Sequence, residues 1–274
     1  MIRQKLNNYI YQMFCLLVAF VVIFPILYAV FVSFMRPEDI LTNPPHFFPV
    51  SFTLDNYKEA FSRTLLGRYI FNSFVVAMIS SCSRIVLGAM AAYAFVFFEF
   101  KGKKILFMLA LCTMMVPTEV VMVSNFTTVS RLGLINTYLG ICVVFLVSAN
   151  NIFIIRQYFM SIDKSLWEVA QIDGCTRFKF FSRILLPVAK PIIITIFLSS
   201  FVNLWNQYVW PLVVTNRNEM RTIQVGITML KDRESTAFGP VMAGVVVSLV
   251  FTALIFALFQ RKIVAGMMSG SAKG

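Results

Sequence analysis

A polar run interrupts one of the most apolar parts of the chain, and its side chains suit a hydroxylated ligand. Amide groups can hydrogen-bond hydroxyls, and aromatic faces can stack on the apolar faces of sugar rings. The alternative is structural, with Trp and Tyr at a membrane interface and Asn and Gln bridging helices. The candidate substrate-pathway residues are Asn203, Trp205, Asn206, Gln207, Tyr208 and Trp210.

Three more polar residues lie inside apolar runs, where polar groups are costly and therefore functional candidates. Glu119 follows Pro117, which predicts a kinked gate; its carboxylate either contacts the ligand or reaches the outer interface. Asn151, beside Asn150, either bridges helices or lines a cavity. Arg84 either pairs with a carboxylate or attracts an anionic substrate.

Residues 168–187, EVAQIDGCTRFKFFSRILLP, form a charged stretch between apolar segments. Ser165, followed three residues later by Glu168, predicts a capping box and a helix over about 166–172. Gly174 predicts the left-handed turn that ends this helix.

A second short helix follows in the same stretch. Thr176 is predicted to cap it and Pro187 to end it. Its predicted apolar face consists of Phe178, Phe181, Ile184 and Leu185. The hairpin is either an ordinary amphipathic element at the membrane surface or a rigid knob presented to a cytoplasmic partner.

The composition indicates a membrane protein. The 274 residues are 59% hydrophobic and 13% charged, with mean hydropathy +0.80, whereas a soluble domain carries about 25% charged residues. The net charge of +12 is attributed to Lys and Arg in cytoplasmic loops near anionic lipid rather than to nucleic acid. The only histidine is His46, and no cysteine pair has metal-ligand spacing, so no metal site is expected.

Long apolar runs predict an all-α, polytopic fold with six transmembrane helices. A bilayer core of about 30 Å needs about 20 apolar helical residues, and the runs lack the alternation of barrel strands. The predicted spans are 11–34, 69–97, 105–124, 135–158, 191–214 and 239–260, all within one transmembrane domain over residues 1–274.

Basic residues predict the orientation. They are concentrated in FKGKK (100–104) and QRK (260–262), and such residues mark cytoplasmic loops. Both termini and the loop 160–190 are therefore expected in the cytoplasm.

The spacing of the charged stretch resembles the EAA loop of importer-type ABC transporter permeases. That loop reads Glu-Ala-Ala, three residues, Gly, nine residues, Ile-x-Leu-Pro; here Val169 replaces the middle residue. AAYAFVFFEFKGKK and WNQYVWPLVV are similar to segments of the sugar-type group, in particular the smaller permease of maltose-importer-like systems.

The resemblance implies a coupling helix seated on a separate ATPase subunit. The implied contact residues are Glu168, Ala170, Gly174, Ile184, Leu186 and Pro187. The chain has no GxxxxGK[ST] motif, so ATP and Mg²⁺ would be bound by two ATPase subunits and this chain would be no enzyme. The other implied partners are a second, larger permease, an extracytoplasmic substrate-binding protein and the lipid of a bacterial inner membrane.

Short similarities also suggest the substrate. MVPTEVVMV, RLGLINTYLGI and WNQYVWPL resemble permeases of glycerol-3-phosphate importers, with maltodextrins or other oligosaccharides as the rival. An ion-coupled secondary transporter would need paired carboxylates or broken helices, and Glu119 is the available carboxylate. An intramembrane protease or phosphatase would need HExxH, a Ser/His pair or an Asp dyad, which the sequence lacks.

Overall fold

The chain folds almost entirely into helices, because helices satisfy their own backbone hydrogen bonds in an apolar environment. The structure is a computed structural model that describes residues 2–44, 46–231 and 238–271, and these residues contain no β-strand. The all-α, polytopic fold predicted from the sequence is confirmed.

Fifteen α-helices follow one another in the described residues. In chain order they are α1 (Ile2–Ser33), α2 (Pro37–Ile40), α3 (Asp55–Arg63), α4 (Leu66–Phe97), α5 (Lys103–Cys112), α6 (Thr118–Arg131), α7 (Tyr138–Cys142), α8 (Ala149–Met160), α9 (Ser165–Ile172), α10 (Arg177–Phe180), α11 (Leu186–Val188), α12 (Lys190–Trp205), α13 (Val209–Val214), α14 (Ile223–Thr228) and α15 (Phe238–Ser271).

The helices belong to two compact units. The first comprises Met1–Gly67 with Gly226–Phe251, and the second comprises Arg68–Val225 with Thr252–Gly274. The expectation of one transmembrane domain over the whole chain stays a prediction. All candidate site residues fall in the second unit.

In the first unit, α3 closes the end of α1. The buried amide of Asn56 donates hydrogen bonds to the carbonyls of Ser33 (3.0 Å) and Met35 (2.7 Å), which otherwise lack partners at the helix end. The hydroxyls of Tyr57 and Ser33 lie 2.8 Å apart and share a hydrogen bond. A single asparagine therefore fixes the turn that leaves the first apolar helix.

Three helices are long and apolar enough to cross a membrane unbroken: Asn8–Ser33, Leu66–Phe97 and Phe238–Leu258. Three further pairs of helices qualify when each bent pair is counted as one span. Up to six spans are therefore available in the described residues by length and composition. The last bent pair, Arg177–Val188 with Lys190–Trp205, includes residues 177–188 of the hairpin and differs from the predicted span 191–214.

Three of the predicted spans are not single straight helices. The third bends by 100° between Lys103–Met115 and Thr118–Arg131, since Pro117 has no N–H to continue the helix. The fourth bends by 48° between Tyr138–Phe145 and Ala149–Met160. The predicted kink at Pro117 is confirmed; its role as a gate stays a prediction.

The expected fifth span, 191–214, is wrong as a continuous helix. Helix α12 ends at Trp205, and α13 begins only at Val209. At its N-terminal end, α12 is bent by 76° relative to the preceding helical segment Arg177–Val188. The polar residues 206–208 thus lie at a break.

Two hydrophobic clusters hold the second unit together. One joins α4 and α8 to the hairpin of α9 and α10, around Tyr93, Phe159 and Phe180. The other packs α4, α6 and α7 against α13, around Ile141 and Trp210. They position the hairpin and the break after α12, respectively.

Candidate functional site

The hairpin formed by α9 and α10 turns at Gly174. This residue has φ +70°, a left-handed conformation that glycine adopts without steric cost. Its N–H donates to the carbonyl of Gln171 (3.0 Å), and the Cys175 N–H donates to that of Ala170 (2.8 Å). These bonds satisfy carbonyls at the helix end, and the predicted left-handed turn is confirmed.

The predicted capping box at the start of α9 is wrong. Lys164 is the N-cap residue and Ser165 is the first residue of the helix. The Ser165 N–H donates to the Asp163 carboxylate at 2.9 Å. The Glu168 side chain is exposed and has no hydrogen bond with any described residue, so it is left accessible.

The second helix starts as predicted and ends later. The Thr176 hydroxyl accepts a hydrogen bond from the Lys179 N–H at 3.3 Å, which confirms the cap. After α10 comes a π-helical turn, Phe181–Leu185, and then α11, which ends at Val188. Pro187 therefore does not end the helix, because it lies near the start of α11, where no N–H is needed.

Aromatic contacts fix the hairpin to the spans. Phe180 is fully buried and packs edge-to-face on Trp167, with ring centroids 4.8 Å apart. The Tyr93 hydroxyl donates to the Arg177 carbonyl (3.0 Å), and its ring lies 4.9 Å from that of Phe181. The hairpin is therefore held rigidly against α4.

The hairpin exposes three apolar side chains among its charged ones. Ile172 is 84% exposed, Phe178 78% and Val169 56%. We call Val169, Ile172 and Phe178 the hairpin patch.

The predicted apolar face of Phe178, Phe181, Ile184 and Leu185 does not hold as one face, because Phe178 is exposed while Leu185 is fully buried. The π turn adds one residue to a helical turn, so Phe180, five residues before Leu185, takes the inner position.

The six predicted coupling residues divide by exposure. Glu168, Gly174 and Pro187 are exposed. Ile184 and Leu186 are half-buried, and Ala170 is buried beneath the hairpin patch. The exposed residues flank the hairpin patch, while the others support it.

The predicted polar cluster separates into exposed and buried residues. Asn203, Asn206 and Tyr208 are exposed, and Gln207 is half-buried. The Gln207 amide donates to the Asn203 side-chain oxygen at 3.4 Å. The break between α12 and α13 brings these amides to the surface of the second unit.

One further residue contacts this cluster and could not be predicted from the sequence pattern. Gln224, in α14, donates to the Asn206 side-chain oxygen at 3.1 Å. A single Gln eighteen residues away in a mixed segment carries no signal that would place it there.

The two tryptophans are structural in this conformation. Trp205 is 1% exposed and stacks on Phe201 at 6.3 Å. Trp210 is buried, and its indole N–H donates to the carbonyls of Gly140 (3.3 Å) and Ile141 (3.2 Å). Their substrate role stays a prediction that requires rearrangement.

Asn151 and Glu119 occupy different surroundings. The buried Asn151 amide donates to the Ser200 hydroxyl at 3.0 Å and so bridges α8 and α12. Glu119 is exposed in the first turn of α6, where its carboxylate accepts a hydrogen bond from Thr118 (3.1 Å). A negative charge there also interacts favourably with the helix dipole.

Arg84 stabilises the bend of the fourth span. Its Nε donates to the Phe145 carbonyl at 2.7 Å, and Ser83 donates to the Leu146 carbonyl at 2.9 Å. The guanidinium also lies 5.7 Å from the centroid of the Phe145 ring. No described carboxylate pairs with it, so the predicted ion pair is absent from the described part of the chain.

Segment 215–223 is clamped by two asparagines outside the predicted site. The Asn136 side-chain oxygen accepts from the N–H groups of Asn216 (2.8 Å) and Arg217 (2.9 Å). Asn136 itself has φ +59°, which Asn tolerates better than most residues.

The second clamp is Asn72 of α4. Its amide donates to the carbonyls of Glu219 and Arg221, both at 2.8 Å, and it accepts from the Tyr138 hydroxyl at 2.6 Å. The rule that singles out polar residues in apolar runs could have identified Asn72. Together the two asparagines make the segment a defined surface.

The groups that these sites present suit hydrogen bonding and docking. Among the residues that the structure describes, no three His, Cys, Asp or Glu side chains could hold a metal ion together. The exposed amides at the α12–α13 break suit hydroxyl groups, and the hairpin patch suits a protein surface.

Solved structures share this fold of bent apolar helices with an exposed hairpin. A bacterial ABC transporter involved in the import of the acidic polysaccharide alginate matches with TM-score 0.84 at 22% identity, over 94% of this chain and 96% of that one. A bacterial alginate ABC transporter in complex with an alginate pentasaccharide-bound periplasmic protein matches with TM-score 0.66 at 17% identity.

Sequence similarity gives the family. The model for the binding-protein-dependent transport system inner membrane component matches residues 84–265, and the chain belongs to this family, the permeases of ABC importers. The sn-glycerol-3-phosphate transport system permease protein UgpE of Brucella abortus (strain 2308) is 34% identical over 98% of this chain and 99% of its own length. The arabinooligosaccharides transport system permease protein AraQ of Halalkalibacterium halodurans is 31% identical over 94% and 93%. The resemblance to importer permeases is confirmed.

Proposed function

We propose that this chain forms half of the translocation pathway for sn-glycerol-3-phosphate or a related sugar or polyol, and couples transport to ATP hydrolysis by a separate ATPase subunit. The chain is the smaller permease and has no catalytic role. A second, larger permease supplies the other half of the pathway. Two ATPase subunits bind ATP and Mg²⁺, and an extracytoplasmic binding protein delivers the substrate.

The hairpin patch is the observation that carries the coupling role. Ile172 and Phe178 are 84% and 78% exposed, although the hairpin beneath them is fixed through Phe180 and Tyr93. Apolar surface on a rigid support transmits movement of a bound partner to the spans. Closure of the ATPase subunits would then rock the helices between inward-facing and outward-facing states.

The break after α12 supports a hydroxylated substrate. Asn203, Asn206 and Tyr208 present amide and phenol groups at the surface, and such groups hydrogen-bond hydroxyls. Arg84 supports a negatively charged substrate. Its Nε donates to the Phe145 carbonyl, but its terminal guanidinium nitrogens make no hydrogen bond with described residues and are available to an anion. UgpE proteins from several bacteria match over nearly the whole chain.

Both termini and the hairpin lie on the cytoplasmic side in this proposal. The basic loop FKGKK and the QRK triplet support that orientation through the excess of Lys and Arg in cytoplasmic loops. A thiol probe would test it in a background where the five native cysteines are replaced by serine: Ile172→Cys in intact cells should resist a membrane-impermeant maleimide and react after permeabilisation. Labelling of intact cells at the rate of Phe52→Cys would place the hairpin outside.

The substrate is tested with the complete complex in proteoliposomes. ATP hydrolysis is measured with the binding protein and either sn-glycerol-3-phosphate or maltodextrin. Stimulation by the phosphate ester, with maltodextrin at the basal rate, is the expected result. The reverse order would replace the proposed substrate with an oligosaccharide.

The same reconstitution separates ATP coupling from ion coupling. Uptake should persist when a protonophore collapses the ion gradient, provided that ATP is present inside. Loss of uptake at full ATP would instead identify an ion-coupled secondary transporter.

A further inference from the structure

A cavity beside the hairpin is lined by more positively than negatively charged side chains. Its volume is about 360 Å³, and it lies between the end of α4, the start of α5, the end of α8 and the start of α9. Its charged residues are Glu99, Lys103, Arg156, Lys164 and Glu168. The residues of the hairpin patch do not line the cavity, but Trp167 and Glu168 of its wall belong to helix α9 of the hairpin, and Glu168 is also one of the predicted coupling residues.

Two of the cavity's cations have no ionic partner among the described residues. Lys103 already has partners, because its ammonium group forms an ion pair with Glu99 at 3.2 Å and donates to the Phe98 carbonyl at 2.8 Å. Arg156 and Lys164 form no ion pair with a described carboxylate.

Arg156 is the most constrained of these cations. Its guanidinium lies 4.1 Å from the centroid of the Phe107 ring, and its buried Nε has no hydrogen-bond partner in the described residues. The terminal nitrogens of Arg156, which lines the cavity, form no hydrogen bond with a described residue. A phosphate oxygen in the cavity would accept charge-assisted bonds from them.

The carboxylate of Glu168 lines the same cavity and also lacks a partner among the described residues. It accepts hydrogen bonds, so it favours a ligand that carries donors next to its phosphate. The hydroxyls of glycerol and the ammonium of ethanolamine are such donors, whereas the choline group offers none.

The surface next to the cavity suits an acyl chain. Helix α5 starts at Lys103 and exposes Ile105 (67%), Met108 (65%) and Leu109 (58%). This is also where the third predicted span begins, at the level of lipid headgroups. A phosphate held in the cavity would therefore be continuous with an apolar helix surface.

We propose that this cavity binds the headgroup of a glycerophospholipid, with its phosphate on Arg156 and Lys164 and its hydroxyl or ammonium donor on Glu168. The acyl chains lie along the exposed face of α5. Because Trp167 and Glu168 belong to both the cavity wall and helix α9, the lipid supports the hairpin from the membrane side. This site is independent of which molecule is transported.

Native mass spectrometry of the complete, delipidated complex tests the site by titration with defined lipids. Phosphatidylglycerol and phosphatidylethanolamine should bind at one site at least fivefold more tightly than phosphatidylcholine. Arg156→Gln should weaken phosphatidylglycerol binding about tenfold, the usual effect of losing a charge-assisted bond. The more exposed Lys164→Gln should weaken it about twofold to fivefold and leaves the packing of Phe107 intact.

Arg131→Gln is the matched control, because Arg131 is exposed in the last turn of α6 and does not line the cavity. If Arg131→Gln weakened phosphatidylglycerol binding as much as Arg156→Gln does, the lipid would be attracted by general positive charge, and the proposal would be overturned. Equal binding of phosphatidylcholine would also overturn it. Displacement of the lipid by millimolar glycerol phosphate would identify a site for soluble phosphate esters instead. Lipid binding that appears only after the ATPase subunits are removed would assign the cavity to their contact surface.

Discussion

Truncation of the hairpin patch should weaken assembly with the ATPase subunit without unfolding the permease. In Phe178→Ala, the side chain removed is 78% exposed in the isolated chain. Burial of a whole Phe side chain contributes about 1.5–3 kcal/mol, so covering this exposed fraction contributes about 1–2 kcal/mol. The dissociation constant should therefore rise about fivefold to thirtyfold.

Ile172→Ala should have a similar effect, because that side chain is 84% exposed on the other arm of the hairpin. The double variant should lose about 2–4 kcal/mol if the two positions act independently. Binding of the labelled cognate ATPase subunit to permease-containing nanodiscs gives each dissociation constant. ATP hydrolysis stimulated by the loaded binding protein should fall in the same order.

Two controls separate docking from folding. Phe52→Ala removes an equally exposed ring (74%) from the segment before α3 and should leave the dissociation constant unchanged. Phe180→Ala removes a fully buried ring and should cost about 3–5 kcal/mol of folding stability, with a lower midpoint of thermal unfolding. The docking argument is refuted if Phe178→Ala and Ile172→Ala bind the ATPase subunit as tightly as the unchanged chain, or if their unfolding midpoints fall with that of Phe180→Ala.

Three further substitutions follow from the backbone geometry. Gly174→Ala should lower the free energy of unfolding by about 1–2 kcal/mol, because φ is +70° and only backbone strain, not a clash, opposes the new methyl group; Gly174→Asn should lose less. Arg84→Gln should cost about 1–3 kcal/mol by leaving the Phe145 carbonyl without its donor, and thermal unfolding that matches the unchanged chain would contradict this. Asn136→Gly keeps the positive φ but removes the amide, so amide hydrogen exchange at residues 216 and 217 should accelerate while exchange within α8 does not.

The hairpin shows which structural features can be predicted from the sequence and which cannot. Gly174 and Thr176 do what their types predict, because a left-handed turn and an N-cap depend on one residue and its neighbours. Phe178 does not, because the π turn at Phe181–Leu185 shifts the helical register. Such a turn is stabilised by packing against Tyr93 and Phe97, which no local pattern contains.

In the membrane spans, too, some features can be predicted from the sequence and others cannot. Hydropathy identifies apolar segments, since lipid selects for apolar length, but it predicts one fifth helix over 191–214 where the structure has α12 and α13 with a break between them. It does not reveal the bends after Phe145 and Trp205, because the groups that stabilise them come from elsewhere in the chain. The carbonyls freed at the first bend are satisfied by Ser83 and Arg84, more than sixty residues earlier in the sequence.

Helix α4 is the common support of these features. It is unbroken over Leu66–Phe97, and its polar side chains hold the backbone of other segments at three levels. Asn72 holds 219–221, Arg84 holds the bend at Phe145, and Tyr93 holds the hairpin at Arg177.

Asn72 and Tyr93 are about 30 Å apart along the helix at a rise of about 1.5 Å per residue. A displacement of the hairpin therefore acts directly on a rigid element that also carries the clamp on segment 215–223. The polar residues of α4 are best understood in this way. Each donates to a backbone carbonyl of another segment, and together they make one straight helix the connection between the proposed docking face and the opposite end of the second unit.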